Sequence, residues 1–188
     1  YGEMRGHASW VGQESDPFIG KVGPNQPAPG RDFEKADIFV QELKEFEKND
    51  NLPNPMVMSL GEDHTRGTAL GAFSPKAAVA SNDLALGKIV EAVSKSKYWK
   101  DTAIFVIEDD AQNGSDHVDA HRSPAYLAGG FVKRNMVDHT AYTTAGILRT
   151  IELILGIPPM TQYDAAALPL WRCFDNKALP FNFTAIKP

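Results

Sequence analysis

The sequence predicts an α/β fold with a mostly parallel sheet flanked by helices, and three observations carry that expectation. Two short apolar runs, PMVMSL at 55–60 and AIFVI at 103–107, each run into acidic residues. Between them SPKAAVASNDLALGKIVEAVSKSKYW (74–99) opens on a Ser-Pro start signal and then repeats apolar residues at helical spacing. Strand, helix and strand in that order predict a right-handed crossover between parallel neighbours.

Taken in order, residues 1–31 are rich in Gly and Pro and sustain neither a period of 2 nor one of 3.6, which predicts loop or flap. Such a long irregular terminal stretch makes sense packed on other chain, so the sequence is expected to be the C-terminal portion of a larger domain. ADIFVQELKEFEK (36–48) aligns Ala36, Phe39, Val40, Leu43 and Phe46 on one stripe of an amphipathic helix, which NDNLPNP ends. The run at 55–60 is a buried strand feeding the polar loop GEDHTRG.

In the helix from 74, Val79, Leu86, Ile89, Val90 and Val93 are expected to face inward. AYLAGGFV (125–132) predicts a strand weakened by two glycines. TAYTTAGILRTIELILG (140–156) predicts a helix with Leu148, Ile151 and Leu155 inward and Gly156 at its end. PPMTQYDAAALPLW then breaks all periodicity. With no internal repeat and no shift in composition, residues 1–188 are expected to form one domain.

A chain of 188 residues with 43% hydrophobic residues can bury a real core. Its net charge of -5 opposes binding to a phosphate backbone, so nucleic acid is not an expected partner. The lone Cys173 cannot form an internal disulfide and does not fix the compartment. No apolar run approaches the roughly 18 residues that span a bilayer, so no transmembrane segment is expected.

Ligands of open α/β sheets bind beyond the carboxyl ends of the strands. Asp63 and His64 follow the first strand there, and Glu108, Asp109 and Asp110 follow the second. Adjacent carboxylates leaving a dry sheet repel each other, and a divalent cation between them relieves the repulsion. Carboxylates mixed with imidazoles suit zinc, manganese, magnesium or calcium, without choosing among them. Strand-end acids also serve as helix caps or plain loop residues.

His117 and His121 have the spacing of a zinc pair on a helix. Gly114 and Pro124 leave little room for one, and Val118 stands where a zincin carries Glu. His139 precedes the last helix, with Asp138 or Thr140 as its cap. Asn82 and Asp83 fall inside a helix, where short polar residues either face water or reach toward neighbouring loops. His7 lies in the irregular N-terminal stretch.

DHTRGT (63–68), the long block from NDLALGK to DAHR (82–122) and VDHTAYTTAGILRTIELILGIPPMTQYDAAALPLW (137–171) resemble a bacterial phosphoesterase family. That family includes phosphatidylcholine-type phospholipases C and metal-dependent acid phosphatases, within the alkaline phosphatase superfamily. EDDAQNGSDHVDAHR is the most specific part of the resemblance. The resemblance implies an alkaline-phosphatase-like sandwich that hydrolyses phosphate mono- or diesters, phospholipids among them. It further implies Asp109 and Asp110 as metal ligands, with Asp63 and His64 for a second metal or the phosphate oxygens.

In the related sulfatases a second His stands eight residues after the ligand Asp, and counting from Asp109 gives His117 (117 − 109 = 8). His117 or His64 would then protonate the leaving group, and His121 and His139 would bind substrate. The chain departs from the family in having Asp-Asp for Asp-His and LGEDHT for a Pro-Asn-Asp-His run, which favours a harder metal or a single-metal site. The Ser or Thr nucleophile belongs upstream of the matched residues, leaving Ser9 and Ser15 as candidates only by default. A periplasmic or secreted location follows by family analogy, and an uncovered sheet edge predicts self-association. The alternative is a non-catalytic metal- or anion-binding module that acts with a partner chain.

Overall fold

In the computed structural model, which describes residues 5–6, 31–108 and 123–186, the protein is a mixed structure of helices and short strands. It divides into two compact units, one comprising Tyr1–Tyr98 with Phe181–Pro188 and the other Trp99–Pro180.

In the first unit, α1 (Asp32–Asn49) buries Asp32, Ala36, Phe39 and Leu43, a stripe that keeps the 3.6-residue period. α2 (Pro75–Lys95) starts where Pro75 follows Ser74, whose hydroxyl oxygen accepts the Ala77 N–H. Its buried line is Ala78, Ser81, Ala85, Ile89 and Val93, and it packs on α1. Val79 is exposed rather than inward, because it lies one position, about 100°, off that line. Small residues at 78, 81 and 85 leave room for polar groups at this end of the helix pair.

Further hydrogen bonds close the unit. The Tyr98 hydroxyl donates to the Phe46 carbonyl at 2.7 Å. Residues 181–186 return along α2, with Phe183 N–H donating to Ser94 Oγ at 3.2 Å and Ala185 N–H to Glu91 Oε2 at 2.9 Å. β1 (Arg5–Gly6) pairs in parallel with β2 (Met56–Val57), which is shorter than the apolar run at 55–60.

In the second unit, β3 (Ala103–Ile107) and β4 (Ala125–Gly129) are antiparallel, in register from Ala103 opposite Gly129 to Ile107 opposite Ala125. Glu108 N–H donates to Pro124 O at 3.3 Å and extends the ladder. β4 stops where Gly130 turns against Lys100, since a Cβ at 130 would come within 2.8 Å of the Lys100 backbone. Val132 bridges to Phe174, and the Phe105 and Phe174 rings lie 6.2 Å apart.

α3 (Thr144–Leu155) starts at the Thr143 cap and ends at Gly156, whose φ of 67° is the left-handed terminator the sequence implies. Its buried residues are Gly146, Ile147, Thr150 and Glu152, not the expected line of Leu148, Ile151 and Leu155, which are half-buried. Polar anchors select that face. The Thr150 hydroxyl donates to Gly146 O at 2.7 Å and accepts the Leu170 N–H at 2.8 Å. α4 (Gln162–Ala166) is a single capped turn inside the stretch without periodicity.

The expected crossover between 55–60 and 103–107 is not among the pairings of the described strands: β2 pairs with β1, and β3 with β4. Among the described residues no helix is long and apolar enough to cross a membrane.

Candidate functional site

Where β2 runs out, the chain passes Leu60 and Gly61 into a one-turn 3-10 helix, Glu62–His64. Asp32, at the first turn of α1, is fully buried, and its carboxylate accepts four donors. Lys35 Nζ lies at 2.9 Å, the Gly61 N–H at 3.3 Å, the Glu62 N–H at 2.8 Å and Asn82 Nδ2 at 3.2 Å. Glu62 answers in kind, accepting the Asp32 N–H at 2.6 Å, the Ser81 hydroxyl and Arg31 Nε.

Two carboxylates thus meet two cations, which is what makes their burial tolerable. The Arg31 guanidinium also donates to Ala77 O at 3.2 Å and lies 3.9 Å from the centre of the Phe73 ring, a cation–π contact. Asn82 turns out to reach toward the strand-end loop, because its amide also donates to Leu60 O at 3.2 Å. Asp83, one position on, is exposed.

This clasp presents Asp63 and His64. Asp63 is half-buried and takes the His64 N–H on Oδ1 at 3.1 Å, while the His64 ring is exposed. His64 Nδ1 lies 3.2 Å from the Thr65 carbonyl oxygen. A carbonyl oxygen only accepts, so the neutral ring carries its proton on Nδ1 and leaves the Nε2 lone pair for a ligand or a proton. Metal-bound histidines show the same pattern, with the second nitrogen donating to a carbonyl. Thr65 follows at φ 53° and ψ 177°, a region that β-branched residues avoid, so the backbone beside His64 is strained.

Asp63 and His64 offer one oxygen and one nitrogen, donor types that fit zinc or manganese. Among the described residues no group of three or more His, Cys, Asp or Glu could hold a metal ion. A cation at Asp63 and His64 therefore needs further ligands. Asp109, Asp110, His117 and His121 lie outside the described residues, in the connection between β3 and β4.

His139 is exposed in the second unit, next to a bonded Asp138. Asp138 accepts the Thr140 N–H at 2.9 Å, the Thr140 hydroxyl at 2.7 Å and the Tyr142 hydroxyl at 2.9 Å. The Thr140 hydroxyl, followed by the Thr140 N–H, holds its carboxyl down at about 2. Neither Asp138 nor Thr140 caps α3, whose cap is Thr143.

A buried acid pair, Glu152 and Asp164, belongs to this unit. Asp164 accepts the Met160 N–H at 2.7 Å, the Thr161 N–H at 2.8 Å and the Thr161 hydroxyl, which keeps its carboxyl below the ordinary range. Glu152 accepts Arg149 Nη1 at 3.2 Å and the Met160 N–H at 3.3 Å. These groups cap a turn, and among the described residues they belong to no group of three or more His, Cys, Asp or Glu that could hold a metal ion.

The sequence pattern did not single out Asp32, Glu62, Arg31 or Ser81. One signal was present, the Asn82 that a helix interior disfavours. No protein-family model matches the chain, and no curated protein matches it.

Proposed function

We propose that the chain carries the metal-binding part of a phosphoesterase site that hydrolyses phosphate mono- or diesters. Asp109 and Asp110 are its principal metal ligands, Asp63 and His64 are further candidate ligands, and His121 and His139 contact substrate. The reading includes an alkaline-phosphatase-like parallel sheet, of which β1 and β2 would form part. A divalent cation would neutralise the phosphoryl oxygens and lower the pKa of a Ser or Thr hydroxyl.

The observation that best supports this is the turn at Glu62–His64, where an oxygen donor and an imidazole stand side by side at a strand end with the Nδ1 proton engaged. With that proton engaged, neutral His64 acts as a ligand or base. The leaving-group proton is then better assigned to His117.

Calorimetric titration of the protein with manganese and zinc tests the reading. We expect saturable binding that Asp109→Ala abolishes and Asp63→Ala weakens. No binding by the unaltered protein, or unchanged affinity in Asp109→Ala, would contradict it. Turnover of p-nitrophenyl phosphate or its bis ester alongside binding supports the enzyme. Binding without turnover is what a non-catalytic metal-binding module predicts.

A further inference from the structure

The turn that carries Asp63 and His64 is a single 3-10 turn, held to the helices by side chains. The turn closes with Thr65 N–H donating to Glu62 O at 3.0 Å, and among the described residues no backbone–backbone hydrogen bond joins 61–64 to another element. What fixes it is an exchange between side chain and backbone. The Asp32 carboxylate takes the N–H groups of Gly61 and Glu62, and the Glu62 carboxylate takes the N–H of Asp32. Each acid caps the other's helix start, satisfying donors that would otherwise have no partner.

Side chains from α2 lock the exchange, Ser81 onto Glu62 and Asn82 onto both Asp32 and Leu60 O. Three elements therefore converge on two carboxylates, of which Glu62 directly precedes the candidate ligands and Asp32 holds the N–H groups of Gly61 and Glu62. The strained Thr65 lies on the far side of His64 and would relax if that hold were lost. With relaxation the Nδ1–H to Thr65 O bond, and the ring orientation it sets, would go too.

We propose that Asp32 and Glu62 are positioning residues that hold His64 with its proton on Nδ1 and its Nε2 presented outward. This rests on the phosphoesterase reading for its purpose, but its test does not need a metal. Asp32→Asn replaces an acceptor oxygen with a donor that faces other donors, and Glu62→Gln does the same toward Ser81 or Arg31.

Long-range nitrogen–proton NMR of the His64 ring at fixed neutral pH reads the tautomer directly. In the unaltered protein the Nδ1–H form is expected to dominate. In Asp32→Asn, Glu62→Gln and the milder Asn82→Ala it should shift toward the Nε2–H form that an exposed histidine favours. Leu43→Ala, which loosens the buried face of α1 without touching the clasp, should leave the ring nitrogens unmoved.

Manganese affinity should fall about 10- to 100-fold in the clasp variants and not in Leu43→Ala. Unmoved ring nitrogens in whichever clasp variants retain native helical circular dichroism would overturn the proposal, as would an equal shift in Leu43→Ala. If Asp32→Asn does not fold, Glu62→Gln and Asn82→Ala carry the test. Absence of manganese binding to the unaltered protein with the tautomer shift intact would sink the phosphoesterase reading and leave the positioning role standing.

Discussion

Each unit holds a pair of acids, Asp32 with the half-buried Glu62 in one and the buried Glu152 and Asp164 in the other, and the two pairs are built differently. Asp164 takes its donors from Met160 and Thr161, a few residues away, and its work ends with capping α4. Asp32 and Glu62 are bonded across α1, α2 and the strand-end turn, with Lys35 and Arg31 as counter-charges. The first arrangement is self-contained. The second presents a half-buried acid and an exposed imidazole to whatever lies outside the turn. A buried carboxylate is thus a poor marker of a site, and what its network holds outward is a better one.

The contrast breaks most severely at Asp32. Asp32→Ala strands Lys35 and the two turn N–H groups, and urea unfolding should show a loss of about 3–5 kcal/mol. A loss below about 1 kcal/mol would mean that the clasp contributes little. In the second unit Thr150→Val leaves the buried Leu170 N–H without its acceptor, and a smaller loss of about 1–3 kcal/mol is expected by the same method.

Acid sharpens the comparison further. Asp138, held at about 2 in the folded protein, binds its proton in the unfolded chain near the ordinary value of about 3.9. Its stabilisation is therefore complete above about pH 4 and is lost as pH falls through 2. Asp138→Asn should flatten that part of the stability–pH curve, whereas an unchanged slope would remove Asp138 as its source. The smallest effect is expected at Thr65, where glycine relieves strain of about 1–3 kcal/mol and adds about 1 kcal/mol of chain freedom. Thr65→Gly should leave stability within about 1 kcal/mol of the original or raise it.

Local pattern made α1, α2, β3 and β4 legible, because apolar spacing and capping residues act within a few positions. It misread the face of α3, where hydrogen bonds at Thr150 and Glu152 outweigh the leucine stripe. α4 was missed because a single turn has no period to detect and rests on the Thr161 cap. The clasp escaped notice for a related reason. Its partners on different elements are 19 to 50 residues apart, a separation that no local pattern registers. Asp63 and His64 were legible as strand-end residues, and their support was not.

Whether Asp63 and His64 belong to a metal site is most directly measured by adding manganese in small fractions to the nitrogen-labelled protein and following the amide resonances. Selective broadening of Asp63 and His64 at substoichiometric ion, reversed by chelation, is the predicted result. Sharp, unmoved resonances at both positions through saturation would contradict it.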